Sequence, residues 1–241
     1  MVTNTATDSG GLRCTLVPIS LGAVKAFLLK GERSVLIDGG YHRDAGRILK
    51  RLSECGVGPR DVSLILLTHS HDDHFGSVRE LRERTGARVA VHRLDADALR
   101  AGRNKDLIPC GTRGRLASLV ASEKPRGHGI EPDITLENDA DLQEFGAKGK
   151  VVWTPGHTSG SVSVILDNGE AVVGDLIMAR FVLCGPPDYP LFAFDVSKLR
   201  ESIQKVLAFQ PTTIHVSHGG PYSRQQVMKR FGSDIPASPT R

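Results

Sequence analysis

The chain has 241 residues, 39% of them hydrophobic and 24% charged, and a formal net charge of +4. This composition is typical of a globular protein and excludes a largely disordered chain, and no apolar run approaches the roughly 18 residues of a membrane-spanning helix. The start of the chain, Met1–Gly11, lacks the basic and apolar regions of a signal peptide, so we predict a cytoplasmic protein without a membrane partner.

Short apolar runs alternate with amphipathic helices in the first third of the chain. Three predicted strands, separated by glycines, precede a helix with apolar residues at helical spacing. The continuous apolar run that follows is expected for a strand buried on both faces. The predicted elements are strands Leu12–Ile19, Ala26–Leu29 and Ser34–Ile37, helix His42–Cys55, strand Val62–Leu67, a helix from Phe75 to Arg84 and strand Arg88–Val91.

Residues 94 to 133 are less regular, and strand signals return after them. Asp167-Asn168-Gly169 supplies turn residues for a hairpin between two of these strands. The predicted elements are helices Asp95–Arg100 and Leu116–Ser122, strands Ile134–Leu136, Lys150–Trp153, Val162–Leu166 and Ala171–Val173, helix Val196–Phe209, strand Thr213–Val216 and helix Arg224–Phe231. No linker-like stretch divides the chain, so one domain over residues 1–241 is expected.

A dense group of ligand-type side chains follows the predicted strand Val62–Leu67. The stretch reads Thr68-His69-Ser70-His71-Asp72-Asp73-His74-Phe75-Gly76. Along an extended chain, residues two apart project to the same side, so His69 and His71 can point together. Imidazoles and carboxylates packed this closely would repel one another or stay unsatisfied in an ordinary core. The pattern therefore predicts a metal site, because neutral imidazole and carboxylate are standard zinc ligands.

Three later segments complete a set of motifs. They are Trp153-Thr154-Pro155-Gly156-His157-Thr158-Ser159-Gly160-Ser161, Val173-Gly174-Asp175 and His215-Val216-Ser217-His218-Gly219. With His69-Ser70-His71-Asp72-Asp73-His74, they resemble the H-x-H-x-D-H, T-P-G-H-T-x-G-S, G-D and strand-end histidine motifs of the metallo-β-lactamase superfamily. Asp38, before Gly39-Gly40, resembles the aspartate that lies beneath the ligands in that family. The resemblance extends from about Leu12 to Pro221.

The resemblance implies an α+β fold, a four-layer αβ/βα sandwich with the metals at one edge of its two sheets. It implies a first ion held by His69, His71 and His157, a second held by Asp73, His74 and His218, and Asp175 as the bridge. Nitrogen and oxygen ligands favour two Zn²⁺ ions, with iron or manganese as alternatives. Such an open site implies a hydrolase that uses a metal-bridging hydroxide, which Asp73 orients while passing on a proton.

Three reactions stay open for such a site. The zinc β-lactamases that have a cysteine in the second metal site carry it where this chain has Asp175, and Cys184 lies nine residues later. A bridging aspartate is similar to that of glyoxalase II and the acyl-homoserine lactonases, which favours hydrolysis of an ester, thioester or lactone. Phosphodiester hydrolysis and a persulfide dioxygenase with a single iron are the alternatives. A non-catalytic binding module is disfavoured, because all seven ligand positions are filled.

The remaining polar and reactive residues receive smaller roles. The four cysteines, Cys14, Cys55, Cys110 and Cys184, include no C-x-x-C pair and are predicted to be free thiols. Tyr189 and Tyr222 are candidate donors to a substrate oxyanion, and the sequence does not choose between them. The histidines predicted not to bind metal are His42, His92, His128 and His215.

Substrate contacts are expected from the basic stretch within residues 94 to 133. Seven basic residues accompany two acidic ones between positions 100 and 126. We predict a small-molecule substrate, attracted as an anion by Arg113, Arg115 and Arg126, and the alternative is that these charges form a solvated surface. No interleaved aromatic series accompanies them, which argues against nucleic acid as a partner. The oligomeric state is left open.

Overall fold

The computed structural model of the protein describes residues 14–119 and 128–232, and its centre is a pair of six-stranded sheets. The first sheet has its strands in chain order, β1 to β6. Strands β1, β2 and β3 pair antiparallel, and β3, β4, β5 and β6 pair parallel. Their bounds are β1 (Thr15–Ser20), β2 (Lys25–Lys30), β3 (Ser34–Ile37), β4 (Val62–Leu66), β5 (Arg88–His92) and β6 (Ile134–Leu136).

The second sheet has the order β14-β13-β10-β9-β8-β7 and is antiparallel except for the parallel pair β10 and β13. Strands β11 and β12, which follow β10 in the chain, pair antiparallel in a separate two-stranded sheet. The bounds are β7 (Ala140–Asp141), β8 (Lys150–Trp153), β9 (Val162–Ile165), β10 (Glu170–Val172), β11 (Met178–Ala179), β12 (Pro187–Asp188), β13 (Thr213–His215) and β14 (Tyr222–Ser223).

The described residues also form seven α-helices and two short 3₁₀ helices. They are α1 (Ala45–Glu54), α2 (Asp72–Phe75), α3 (Val78–Thr85), α4 (Arg93–Arg100), α5 (Gly111–Ala117), α6 (Val196–Ala208), α7 (Arg224–Phe231) and the 3₁₀ helices Pro59–Asp61 and Gln143–Phe145. The longest, α6, has 13 residues. Within the two described ranges no helix is both long and apolar enough to cross a membrane.

Alternating side chains of the strands build three buried layers. Phe27 of β2 and Leu66 of β4 face the second sheet and pack with Val164 of β9. Leu28 and its neighbours on the opposite face pack against α1 and α3. The outer face of the second sheet packs against α6 and α7. The result is the α+β four-layer sandwich that the resemblance implied, with each sheet covered by helices on its outer face.

The predicted elements that lie within the described residues are confirmed in type, with differences at their ends. The helix predicted from Phe75 to Arg84 is α3, which begins at Val78, and the separate short helix α2 precedes it. Between them, Gly76 packs against the backbone of Tyr41 and His42 and leaves no room for a side chain. Strands β7, β11, β12 and β14 have two residues each, too few for a periodicity signal. Helix α5, Gly111–Ala117, overlaps the predicted helix Leu116–Ser122 only at Leu116 and Ala117. Residues 120–122 lie outside the described ranges, as do Leu12 and Arg13.

Candidate metal centre

The seven predicted ligands come together where several strands end at one edge of the two sheets. His69 and His71 follow β4, and Asp73 and His74 belong to α2 directly after them. His157 follows β8, Asp175 follows β10 and His218 follows β13. The sequence analysis placed His69 and His71 directly after the predicted strand, and both lie in the loop beyond β4. The loop directs both rings to one point, and their ring centroids are 4.6 Å apart.

Three histidines form the first group of potential ligands. Nε2 of His157 lies 3.1 Å from Nε2 of His69 and 3.1 Å from Nδ1 of His71. These three side chains are buried. Their nitrogens lie within 4.8 Å of one another, a spacing that can hold one ion.

Asp73, His74 and His218 form the second group, and Asp175 lies between the two groups. Nε2 of His218 is 3.1 Å from Oδ2 of Asp73. Oδ2 of Asp175 is 3.4 Å from Nε2 of His218 and 3.8 Å from Nε2 of His157, while its Oδ1 is 3.6 Å from Nε2 of His74. Asp175 thus faces both groups, as expected of a bridging carboxylate.

Each histidine in the centre has its outer nitrogen occupied by an acceptor. Three rings reach backbone carbonyls: His71 Nε2 to Lys105 at 2.5 Å, His157 Nδ1 to Phe192 at 2.8 Å and His218 Nδ1 to Ala23 at 2.8 Å. A carbonyl only accepts, so these nitrogens carry the proton. The inner nitrogen of each ring is therefore the one that is left to face a metal ion, and it binds the ion through its lone pair once it carries no proton.

Asp38 fixes the orientation of the other two rings, His74 directly and His69 through Thr68. It is buried and accepts hydrogen bonds from Nδ1 of His74 at 2.9 Å and from the Thr68 hydroxyl at 2.8 Å. The Thr68 oxygen can then accept from Nδ1 of His69, 3.1 Å away. Asp38 holds a backbone φ of 63°, a left-handed conformation that few non-glycine residues adopt. Its position matches the role that the resemblance implied.

Burial and neighbouring charges shift the pKa values of the groups in the centre in different directions. Burial holds the pKa of His69 well below its ordinary value and lowers the pKa of His71 to about 4. Burial acts in the same direction on His74, but Asp38 and Asp73 outweigh it and raise the pKa of His74 to about 9. Burial opposes ionisation of Asp175, yet His218 and His74 hold the pKa of this carboxyl far below its usual range.

Two buried atoms in the centre have no hydrogen-bond partner in the described part of the chain. They are Nε2 of His74 and Oδ1 of Asp175, which lie 3.6 Å apart and face each other. An unpaired buried nitrogen or oxygen is costly in a core without ions. Inward-facing imidazole nitrogens, two carboxylates and unpaired inner atoms together fit divalent cations, with zinc the ion that this donor set favours.

Asp95 is a residue of the centre that the sequence reasoning missed. It is buried in α4, and its carboxylate accepts from the Ser70 amide at 2.8 Å, the Thr158 hydroxyl at 2.9 Å and the Gly160 amide at 2.9 Å. A side chain at Gly160 would collide with this carboxylate. Asp95 therefore ties together the loops that carry all three histidines of the first group. Burial raises its pKa to about 6.

We expect Asp95→Ala to destabilise the fold by about 2–4 kcal/mol, because it leaves buried amide donors without an acceptor. The free energy of unfolding, measured by urea denaturation of the metal-free protein, tests this. Asp97→Ala on the same helix is the matched control, since its side chain is 89% exposed and pairs with Arg100 on the surface of that helix. Equal unfolding free energies for the two variants would contradict the proposed role of Asp95.

A cavity of about 220 Å³ opens directly above the centre. Ligand residues form its floor, and Tyr41 and Asn104 also line it. Tyr41 was not predicted, because it belongs to no motif and precedes the histidine cluster by 28 positions. The two tyrosines that were proposed lie elsewhere: Tyr189 accepts from Arg200 at 2.8 Å, and Tyr222 donates to the carbonyl of Gly185 at 2.9 Å.

The basic stretch borders the cavity, but Arg113 and Arg115, the two described arginines of the prediction, do not line it. Asn104 and Leu107 line the cavity. Arg113 pairs with Asp188 at 3.2 Å and also donates to the carbonyl of Ala179. Arg126 lies outside the described residues. Attraction of an anionic substrate by these arginines stays a prediction.

The other predicted non-ligands also lie outside the centre. His215 contacts Glu170 at 3.0 Å, and His92 stacks on Trp153 with ring centroids 5.3 Å apart. His42 and His128 face each other at 5.9 Å beside α3. All four cysteines are free, as predicted, and Cys184 is exposed in the loop between β11 and β12.

Known proteins share both the sequence pattern and the fold. The sequence model described as "Metallo-beta-lactamase superfamily" matches residues 19–218. A Bacillus subtilis protein named "Probable metallo-hydrolase YflN" is 28% identical, over 83% of this chain and 79% of that protein. A hydroxyacylglutathione hydrolase of Cereibacter sphaeroides is 33% identical over 81% of this chain, and the match spans 61% of that enzyme.

A solved structure gives the same result for the fold. A metallo-β-lactamase family protein of Thermus thermophilus superimposes with a TM-score of 0.66. The alignment covers 93% of this chain and 79% of that one, at 23% sequence identity. At this identity the likeness concerns the fold alone.

Proposed function

The chain belongs to the metallo-β-lactamase superfamily and is a metal-dependent hydrolase, and we propose that it cleaves an ester, thioester or lactone with two zinc ions. One observation carries the proposal. Five histidines turn their inner nitrogens towards two carboxylates beneath an open cavity. When bound there, two such ions would lower the pKa of a coordinated water towards about 7 and polarise the substrate carbonyl.

Asp73 is the residue that we propose moves the proton. Its side chain lines the cavity, and Oδ2 faces Nε2 of His218 at 3.1 Å. The neighbouring His74 and His218 hold the pKa of this carboxyl down, to about 2, against the effect of its burial. The carboxylate therefore stays ionised at neutral pH, and we propose that it orients the attacking water and relays its proton to the leaving group.

No serine or cysteine nucleophile is required by this arrangement. Ser161 accepts from the Thr158 amide at 2.9 Å and stabilises the turn after His157. Ser159 donates its amide to Asp106 at 2.9 Å. The Ser161 hydroxyl is thus engaged in the loop, which supports water as the nucleophile.

The test is hydrolysis by the zinc-loaded protein of a neutral ester, a thioester, a lactone and a phosphodiester, with a persulfide as a further substrate. We expect turnover of at least one of the three carbonyl substrates and none of the phosphodiester. Phosphodiester cleavage without carbonyl hydrolysis would overturn the proposal, and so would oxygen consumption with the persulfide.

We expect Tyr41→Phe to lower kcat about tenfold with unchanged metal content. The Tyr41 hydroxyl belongs to the cavity lining, and a phenol there can donate to the oxygen of a substrate carbonyl as its charge develops. The effect should be smaller than for an enclosed oxyanion hole, because Tyr41 is 41% exposed. Steady-state kinetics on a neutral ester measure it.

Tyr222→Phe is the matched control for this substitution. It removes a hydroxyl that donates to the carbonyl of Gly185 and does not line the cavity. An equal loss of kcat in both variants, or a change confined to KM in Tyr41→Phe, would show that Tyr41 is not the donor.

A further inference from the structure

The wall of the cavity above the metal centre is largely apolar. Its floor consists of ligand residues, and Tyr41, Asp72 and Asn104 add polar groups to its sides, but most of the sides are aliphatic and aromatic side chains. These are Ala23, Leu107, Met178, Val182, Leu191 and Phe192. Four of them, Leu107, Val182, Leu191 and Phe192, are only partly buried, so their apolar surface faces the space that a substrate would enter. An apolar group bound there would be removed from water together with this surface.

Among the described residues that line the cavity, none is an arginine or a lysine. Arg113, which follows Leu107 in the basic stretch, is held by Asp188. Arg180 and Arg230 also contact Asp188, at 3.9 and 2.7 Å. A carboxylate on the substrate, away from the reacting carbonyl, would thus find no cationic partner in this wall, and an unpaired charge is costly to bury.

The backbone of Val182 has an unusual conformation. It lies in the loop between β11 and β12 and holds a φ of 66°. This left-handed conformation is a genuine outlier for a β-branched residue, and such strain concentrates at ligand sites. Its neighbours Phe181 and Leu183 point to solvent, whereas Val182 points into the cavity.

The cavity is also small. Its volume of about 220 Å³ lies below the roughly 300 Å³ at which pockets for drug-sized ligands begin. The cavity opens to solvent, so a tripeptide thioester such as an acylglutathione would extend beyond it, and its carboxylates would find no cationic contacts in the described wall.

We infer that the cavity selects uncharged esters or lactones with a small apolar acyl group, and that Leu107, Val182, Leu191 and Phe192 contact that group. The inference rests on the proposed hydrolase function and specifies its substrate class. In the reaction, the bond between the acyl carbon and the ester oxygen breaks and a bond from the water oxygen to the acyl carbon forms. The products are a carboxylate and an alcohol, with one proton released to solvent.

Two esters of equal chain length test the inference on the zinc-loaded protein. Para-nitrophenyl pentanoate has an apolar acyl chain, and para-nitrophenyl hemiglutarate ends in a carboxylate instead. We expect kcat/KM to be about 50-fold higher for the neutral ester, because the wall offers no partner for the charge. Equal rates, or a preference for the anionic ester, would overturn the inference.

A pair of neighbouring substitutions tests whether the wall itself sets this preference. Leu107→Arg places a cation in the lining and should reduce the preference about tenfold. Ile108→Arg adds the same charge one residue away, at a position that is 48% exposed and outside the lining, and should change the preference less than about twofold. Equal effects of the two substitutions would show that net charge, not the wall, decides.

Binding of ketone analogues separates this inference from the proposed function. In these probes a methylene group replaces the ester oxygen, so that binding can be measured by calorimetry without turnover. If the neutral ketone binds more tightly while both esters, the thioester and the lactone are inert, the wall is as inferred and the proposed carbonyl hydrolysis fails. If esters are hydrolysed but the carboxylate ketone binds equally or more tightly, or neither ketone binds, the inference fails while hydrolysis stands.

Discussion

Asp175→Ala should abolish hydrolysis and remove metal from the protein, whereas Cys184→Ala should leave both unchanged. Of the seven proposed ligands, Asp175 is the one whose oxygens face both groups, at 3.8 Å from His157 and 3.4 Å from His218. Loss of a bridging carboxylate weakens two ions at once and unpairs the histidines beside it. We expect kcat/KM to fall about 10³-fold or more.

Metal content by mass spectrometry and kinetics on a neutral ester measure these effects in parallel. Cys184 is the control because it is exposed in a loop and belongs to none of the three ligand groups. Asp175→Asn, which keeps the shape of the side chain, shows whether the charge matters apart from packing. Full metal content in Asp175→Ala, or equal loss in Cys184→Ala, would place the bridge elsewhere.

The positions of the candidate ligands could be predicted from the sequence because several metal ligands are close together in the sequence. His69, His71, Asp73 and His74 lie within six consecutive positions, and few structural roles require that combination. The parallel strand β4 was readable for a similar reason, since burial on both faces demands an unbroken apolar run. The four-layer arrangement came from the family resemblance, and the alternating cores on both sides of each sheet agree with it.

The residues that support the ligands could not be predicted, because their partners are distant in sequence. Asp95 contacts Ser70, 25 positions earlier, and Gly160, 65 positions later. In the sequence it is an ordinary acidic residue near a helix start, where carboxylates are common. Only the folded chain shows that its carboxylate is buried and that both of its oxygens accept hydrogen bonds.

The basic stretch shows the opposite problem, since its charge pattern is plain in the sequence but the direction of its side chains is not. Arg113 belongs to a run of positive charge next to the cavity, yet its guanidinium pairs with Asp188, 75 positions away. Side-chain direction within an irregular segment depends on contacts that charge counting does not contain. Leu107, an aliphatic residue of the same irregular segment, contributes to the cavity wall.

Removal of metal should abolish activity and lower the melting temperature by about 10 °C per ion. We expect close to two zinc ions per chain, because the structure offers ligand groups on both sides of Asp175. An ion present at a thousandfold excess over its dissociation constant stabilises the native state by about 4 kcal/mol, and for a chain of this size each kcal/mol shifts the melting temperature by roughly 2–4 °C. Chelation followed by zinc addition, monitored by calorimetry and ester hydrolysis, tests both effects.

His218→Ala and His215→Ala form the matched pair for this prediction. Both histidines lie at the end of β13 or just after it, but His215 pairs with Glu170 while His218 faces Asp73 and Asp175. His218→Ala should reduce the metal content towards one ion and remove one of the two thermal increments, because the first group of histidines is left intact. His215→Ala should retain both ions. A single iron in the unmodified protein, with oxygen consumed when a persulfide is added, would instead support the dioxygenase alternative, since that reaction needs one redox-active ion and not a pair of zinc ions.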